Sequence, residues 1–520
     1  MPQLNGPHAS ASKPGTTPAF HTLGEPLNLP HHKKFGSGLV RVGILAAGTT
    51  LSACAVGPDY KAPELITADT WHSQPAGGYR VEASDSPTLA SWWTSFHDPA
   101  LDGLIQRAIE QNKTVRQAVA SVVEARSRRR ITGAGFLPNI GASAGGSHSS
   151  SDGSVVGSDG FTINSSRESY DAGVDASWEI DLFGGQRRSF EAATAGLVAT
   201  EADLRDVMIT LLGDVALTYI EVRTTQSRLT FAERNLASQQ EVLDIAGFRA
   251  AAGLATVLEV EQAKASYAQT RAQIPSLQSN LEAAFNRLAV LTGQQPGSLQ
   301  GELGERKALP SVPAEFVSSV PADVMRRRPD IRSAERRLAA QTAQVGVATA
   351  ALYPSLTLNG SIGVTAASAS DLLSDGLHSN RYGVGISLPI FNGGALRENI
   401  KVQNALVDQA LAGYEATVLA VYEEVENGLT QWVNEQRRHE ALVEAAASSR
   451  IARELALIQY NSGLVDFETV LNADRQVIST EDSLAVSDGE IASNLVRLYK
   501  AFGGGWSVFP QSSTAAAGTP

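Results

Sequence analysis

Gly141-Ala142-Ser143-Ala144-Gly145 has the G-x-S-x-G spacing of a hydrolase nucleophile elbow, where a sharp strand-to-helix turn presents a serine hydroxyl to a carbonyl. That chemistry needs a helix straight after the serine. More Gly and Ser follow instead, so the match reads as a chance product of a small-residue strand. The histidines after residue 54 (His72, His97, His148, His378, His439) are scattered and never reach H-E-x-x-H spacing. A phosphate-cradling G-x-x-x-x-G-K-[ST] loop is missing too. The residues point away from an enzyme, from nucleotide-driven work, and from a bound metal or organic cofactor.

Covalent chemistry is expected at one place, the single cysteine Cys54. His31-His32-Lys33-Lys34 is followed by an apolar stretch from Leu39 to Leu51, broken by Arg41, and then by Leu51-Ser52-Ala53-Cys54. A positive region, a short apolar region and small residues before a cut mark a secretory signal, too short to span a bilayer. Residues 1–30 are rich in Pro, Gly, Ser and Thr, a leader long enough to place the expected start downstream of Met1. Leu-Ser-Ala-Cys resembles a bacterial lipobox, which implies cleavage before Cys54 and acylation of its thiol. Acyl chains anchor by burying methylenes, each worth about 0.8 kcal/mol. By the same resemblance Ala55, standing where an Asp would retain the protein on the inner membrane, favours outer-membrane sorting.

Composition narrows the field further. The net charge of −12 disfavours a nucleic-acid partner. Loss of residues 1–53 removes four basic residues and one acid, leaving 38 against 53 and a mature net charge of −15. A lone cysteine excludes an internal disulfide framework. Past residue 53 no run of 18 apolar residues exists, so no mature transmembrane helix is expected.

The chain runs twice through one programme. Val115-Arg116-Gln117-Ala118 before Leu137-Pro138 is echoed by Ile331-Arg332-Ser333-Ala334 before Tyr353-Pro354, 216 residues on. Phe183-Gly184-Gly185 is echoed by Phe391-Asn392-Gly393-Gly394, and Gly253-Leu254 and Arg287-Leu288 recur 210 residues on as Gly463-Leu464 and Arg497-Leu498. The expected divisions are a leader and signal at 1–53, an anchored segment at 54–97, repeat one at 98–293, a linker at 294–320, repeat two at 321–506 and a disordered tail at 507–520.

Each repeat holds two strands and a long helix. From Tyr170 to Leu182 apolar and polar residues alternate, as they do from Tyr382 to Ile390 and from Leu356 to Val364, and weakly from Ile140 to Ser147. That period fits a strand with one apolar face, in a soluble sandwich or a membrane barrel. Between Arg188 and Ala252 there is no proline, and Met208, Val215, Val222, Leu229, Leu236 and Leu243 recur every seven residues, a coiled-coil seam. The stretch would reach roughly 95 Å. Leu411, Val418, Val425 and Trp432 repeat the step. Return helices are expected over Thr256–Leu291, kinked at Pro275, and Phe467–Phe502. Four strands cannot close a barrel, and an open edge in lipid leaves backbone groups unpaired, so spanning strands require several copies.

The motifs then converge on a family. Cys54-Ala55-Val56-Gly57-Pro58-Asp59-Tyr60 with Pro63, Trp92-Trp93, Phe96 and Asp98-Pro99 resemble the opening of TolC-like, more narrowly OprM-like or NodT-type, outer-membrane efflux lipoproteins. Arg327-Arg328-Pro329-Asp330-Ile331 with Ala334-Glu335, Gly346-Val347-Ala348 and Tyr353-Pro354 is similar to the family's most distinctive stretch. Ala501-Phe502-Gly503-Gly504-Gly505-Trp506 resembles its ending. The resemblance covers about residues 54 to 506. It implies a mixed α and β fold: a trimer whose four strands per chain form a twelve-stranded membrane β-barrel, continuing into a long α-helical coiled-coil barrel. It also implies a passive exit duct of a tripartite, RND-type export pump in the outer membrane, partnered by a periplasmic adaptor and an inner-membrane transporter.

The turns farthest from the strands, Ala251–Val260 and Ser462–Leu471, should form the entrance. The resemblance places adaptor docking at Gly253, Leu254, Ala255 and Thr256 and at Gly463, Leu464, Val465 and Asp466. It also implies an inward acidic ring, but the matching position carries Asn472, leaving Asp466 and Asp474 as further gate candidates. A ring of carboxylates would favour cations. Arg326-Arg327-Arg328-Pro329-Asp330 reads as a helix start rather than a nucleic-acid patch. The rival reading is a lipid-anchored adhesive stalk with a soluble β head.

Overall fold

The computed structural model describes residues 55–64, 70–73, 79–81, 87–154, 162–313, 316–318 and 321–505. The expected signal, Cys54, Trp506 and the tail at 507–520 lie outside these residues.

Repeat one comprises α1 (Pro99–Gln111), α2 (Lys113–Ala134), β2 (Asn139–Ser154), β3 (Thr162–Ile180), α3 (Gly185–Ala251) and α4 (Val257–Leu291). Repeat two comprises α5 (Pro321–Arg327), α6 (Pro329–Ala350), β5 (Ser355–Ala366), β6 (Leu377–Ser387), α7 (Ala395–Asn461) and α8 (Phe467–Ala501). The duplication is metrical: α2 and α6 have 22 residues each, α3 and α7 have 67, and α4 and α8 have 35. At about 1.5 Å per residue a 67-residue helix is roughly 100 Å long. α4 continues through Pro275. Among the described residues no helix is long and apolar enough to cross a membrane.

Capping fixes the helix starts. Asp98 accepts from the Ala100 N–H with Pro99 at the first helical position, and Asn112 caps α2 through the N–H groups of Thr114 and Val115. Arg328 precedes Pro329 and donates to Asp330, to Glu424 on α7 and to the Ala501 carbonyl at the end of α8. The Arg-Arg-Pro-Asp stretch is thus a three-helix fastening. Its neighbour is an aromatic core in which Trp92 stacks on Tyr499 at 5.5 Å and meets Trp93 and Phe96 edge-on. The linker holds a strand that sequence periodicity did not reveal, β4 (Phe316–Ser318), parallel to β1 (Tyr79–Val81). Three residues are too few to show a period.

The four long strands form one antiparallel sheet in the order β2-β3-β5-β6. Its register puts Ile140, Ala176, Gly360 and Tyr382 in one row and Ala142, Val174, Ile362 and Asn380 two residues along, so the apolar sets of all four strands share a face. The opposite face gathers Asp171, Asp175, Glu179, Asn359, Ser361 and Arg381. All four expected strands are present, β2 paired with β3 and β5 with β6, with two differences. β6 ends at Ser387, short of Leu388–Ile390. The β2–β3 ribbon runs eight residue pairs past Tyr170, to Ser154↔Thr162, where β5 no longer follows. That extension is rich in Ser, with Ile163 its single apolar residue, so periodicity could not reveal it.

In the half nearer the sheet, α2 packs on α3, α3 on α6, and α6 on α7; in the far half α4 packs on α3, α3 on α8, and α8 on α7. Of the expected seam, Met208, Val215, Val222 and Leu229 are buried, but Leu236 and Leu243 are only half-buried. Asn235, Gln239, Val242 and Ala246 take the buried positions there. In that half α3 packs on α4 and α8 instead of α6, and Asn235 and Gln239 are turned toward Glu481 and Asp474 of α8.

Candidate functional site

The two helical hairpins end in matched turns. Gly253 (φ +72) and Gly463 (φ +74) occupy the left-handed region that favours glycine, and their N–H groups donate to Ala250 and Tyr460 carbonyls. Leu254 and Leu464 donate to Arg249 and Gln459, completing the helix-ending motif in which the next two N–H groups turn back. Each following helix is then capped. Thr256 and Glu259 form a reciprocal capping box, and Asp466 accepts from the Thr469 N–H and hydroxyl at 3.0 and 2.7 Å. Those two bonds hold the Asp466 carboxyl below its ordinary pKa. Leu254 and Leu464 stand exposed at the ends of the turns.

A set of contacts that the sequence did not suggest joins the hairpins just behind the tips. The Tyr460 hydroxyl donates to Glu259 Oε2 at 2.8 Å. The Arg249 guanidinium lies over the Tyr460 ring at 4.5 Å and donates to the Tyr460 carbonyl at 3.3 Å. Burial and the bond to Glu259 push the Tyr460 pKa up to about 12. Burial also raises Glu259, but hydrogen bonds from Tyr460 and Thr256 outweigh it and leave its pKa below the ordinary value. Tyr460, Phe467, Val470, Leu471, Val242, Ala246, Ala263 and Ala456 form a small apolar cluster there. The T-x-x-E spacing of Thr256 and Glu259 could have marked the capping box, but no spacing links Glu259 to Tyr460.

The gate candidates separate clearly. Asp466 and Asn472 are exposed, and the Arg475 guanidinium donates to the Asn472 amide oxygen at 3.5 Å. Asp474 is buried: it accepts from Gln239 of α3 at 2.9 Å and pairs with Arg453 of α7 at 3.1 Å. Burial raises its pKa against the opposing pull of Gln239 and Arg453. A carboxylate committed to two neighbouring helices is not an exposed gate charge. One heptad on, buried Glu481 repeats the pattern, bonding Asn235 and Arg234 of α3 and Arg450 of α7.

At the sheet end, Ala55–Tyr60 form a strap along the α3–α6 groove. Val56 N–H donates to the Phe183 carbonyl, and buried Arg188 donates to the carbonyls of Val56 and Gly57 and to Asp59 at 2.6 Å. Gly57 (φ +91) lies so close to Gly346 that an added Cβ would come within 2.4 Å of its Cα.

A duplicated strand-and-helix programme, one amphipathic four-stranded sheet and paired glycine-tipped hairpins make a distinctive combination. The model of the family described as "Outer membrane efflux protein" matches residues 104–294 and again 320–504, one match per repeat. The chain belongs to the outer membrane efflux protein family. Nodulation protein T of Rhizobium leguminosarum bv. viciae is 32% identical over 479 residues, covering 90% of this chain and 94% of that protein. The pyoverdine export outer membrane protein OpmQ of Pseudomonas aeruginosa is 32% identical over 469 residues, covering 89% and 97%. The solved outer-membrane channel OprN superposes with a TM-score of 0.79 at 35% identity, covering 87% of this chain and all of that one. The fold is that of TolC-like outer-membrane channels, and the chain is an outer-membrane efflux channel. The elbow-like Ser143 sits in the middle of β2, opposite Gly173, where a nucleophile elbow's helix has no place.

Proposed function

We propose that three copies close into one passive duct, a twelve-stranded barrel in the outer membrane above a helical tunnel, serving a tripartite pump of the RND type. The observation that carries this reading is a broken symmetry of exposure. α3 packs on α6 within the chain, and its repeat counterpart, α7 on α2, has no such contact in the chain's packing. The residues concerned differ accordingly: Val123 of α2 is 57% exposed and its counterpart Ala339 6%, Val402 of α7 54% and Ala192 5%, Leu419 69% and Ile209 4%. β2 and β6 are likewise the unpaired edges of the sheet. A next copy joining α7 to α2 and β6 to β2 would bury both faces and pair both edges, leaving the apolar sheet face to lipid and the polar face to water.

Cys54, one residue before the strap, is read as the lipid attachment. Ala55 lies against Gly184 where β3 passes into α3, which would bring acyl chains to the periplasmic rim of the barrel. The exposed turns at Gly253–Thr256 and Gly463–Asp466 are read as the docking surface for a periplasmic adaptor, with an inner-membrane transporter supplying energy and choosing the cargo. Asp466 and Asn472 would line the entrance. The duct is read as non-enzymatic, without metal or nucleic acid. Native mass spectrometry of the detergent-extracted protein tests the ring: three chains are expected, and a monomer with an intact fold would favour an adhesive stalk.

A further inference from the structure

We infer that Arg130 of one copy pairs with Glu398 of the partner subunit, closing the seam just below the membrane. The inference rests on the ring reading above and names the contact that the ring would use.

The two repeats supply the template. α2 maps onto α6 with an offset of 216, and α3 onto α7 with an offset of 210, without a gap in either helix. Within the chain, Gly346 of α6 lies against Arg188 of α3; an added Cβ would meet the Arg188 side chain at 2.7 Å. The counterpart of Gly346 is Arg130, and the counterpart of Arg188 is Glu398. The seam therefore sets an arginine beside a glutamate where the interior of the chain sets a glycine beside an arginine.

Charge follows the same exchange. Arg188 pairs with Glu191 three residues on at 2.8 Å, and Glu398 pairs with Lys401 three residues on, also at 2.8 Å, with the signs reversed. Arg188 has a further counter-charge, Asp59 of the strap, at 2.6 Å. The strap occurs once per chain, so it cannot serve both grooves. Glu398 needs a cation where Arg188 needs an anion, and Arg130 is an exposed guanidinium with no hydrogen bond or ion pair among the described residues. Gly346 leaves room for the strap, and Arg130 would fill the corresponding space in a groove that has none. Ile131 beside it is exposed as well, as a seam residue should be before assembly.

The test uses the full-length lipoprotein in detergent. Arg130→Cys/Glu398→Cys, treated with a mild oxidant, should give a covalent ladder ending at three chains. Either single cysteine should give none. Arg130→Glu should lower the fraction of SDS-resistant assembly by about fivefold through like-charge repulsion with Glu398, and Arg130→Glu/Glu398→Arg should restore it. If the unmodified protein has the mass of three chains but shows neither the ladder nor the rescue, the pairing is wrong and the ring stands. If the unmodified protein is monomeric, the ring and the pairing fall together.

Discussion

The phenol of Tyr460, at the end of α7, donates to the carboxylate of Glu259, in the first turn of α4, across 2.8 Å. This bond ties the two hairpins of one chain to each other immediately behind the tips proposed as the entrance. A duct that opens by separating its hairpins has to break it.

Tyr460→Phe keeps the ring and its contact with Arg249 but removes the hydroxyl. The lost bond to a charged, partly exposed acceptor should cost about 1 kcal/mol. In planar bilayers the variant's resting conductance should exceed that of the parent severalfold. An unchanged conductance would show that this tie does not hold the entrance closed.

The same tie predicts an acid response. The Glu259 pKa is depressed in the folded protein, so its contribution is present above the ordinary carboxylate value of about 4.3 and is lost as pH falls through the lower folded value. The raised Tyr460 pKa adds a contribution that persists up to about pH 10 and is lost as pH rises through about 12. Thermal denaturation of Glu259→Gln should show a smaller decline than the parent below about pH 4.

Selectivity separates the exposed acid from the buried one. Asp466→Asn should reduce cation preference in reversal-potential measurements, whereas Asp474→Asn should leave it unchanged, because Asp474 faces Arg453 and Gln239 rather than open water. A shift with Asp474→Asn alone would move the gate charge to the buried position.

The Asp474–Arg453 pair should act on stability instead. Arg453→Met strands a buried carboxylate and should destabilise by about 3 kcal/mol, measured by thermal unfolding in detergent. Asp474→Asn keeps the amide geometry toward Gln239 and should cost less. Its raised folded pKa means that ionised Asp474 is disfavoured by folding relative to its protonated form, so the group's contribution declines as pH rises through that value.

Much of this architecture was legible because long elements repeat their pattern many times. The heptads from Met208 to Leu229 and the alternation from Tyr170 to Ile180 each carry enough periods to define an element and its buried side. The matched offsets at Gly253 and Gly463 located both tips. The rest was illegible for specific reasons. Glu481 and Asp474 are polar residues in a buried seam, and only three-dimensional packing reveals that Asn235 and Gln239 meet them. Tyr460 and Glu259 lie 201 residues apart, and nothing in spacing connects them. The outer β2–β3 ribbon has polar residues on both faces and so has no period to detect.

The proposed lipid anchor has its own check. Mass spectrometry of the mature protein should show Cys54 as the first residue, carrying acyl chains, and Cys54→Ser should remove them. Arg188→Leu should free the strap from its groove while leaving acylation intact, read as faster protease cleavage between residues 55 and 64. Protection equal to the parent would mean that Arg188 does not hold the strap.

Conductance across a planar lipid bilayer tests the central claim, that this protein is a water-filled passive duct, most directly. Purified protein should insert and give discrete, long-lived conductance steps without nucleotide or any other energy source. Protein that demonstrably reaches the bilayer yet gives no steps above background, even with Tyr460→Phe loosening the entrance, would contradict it.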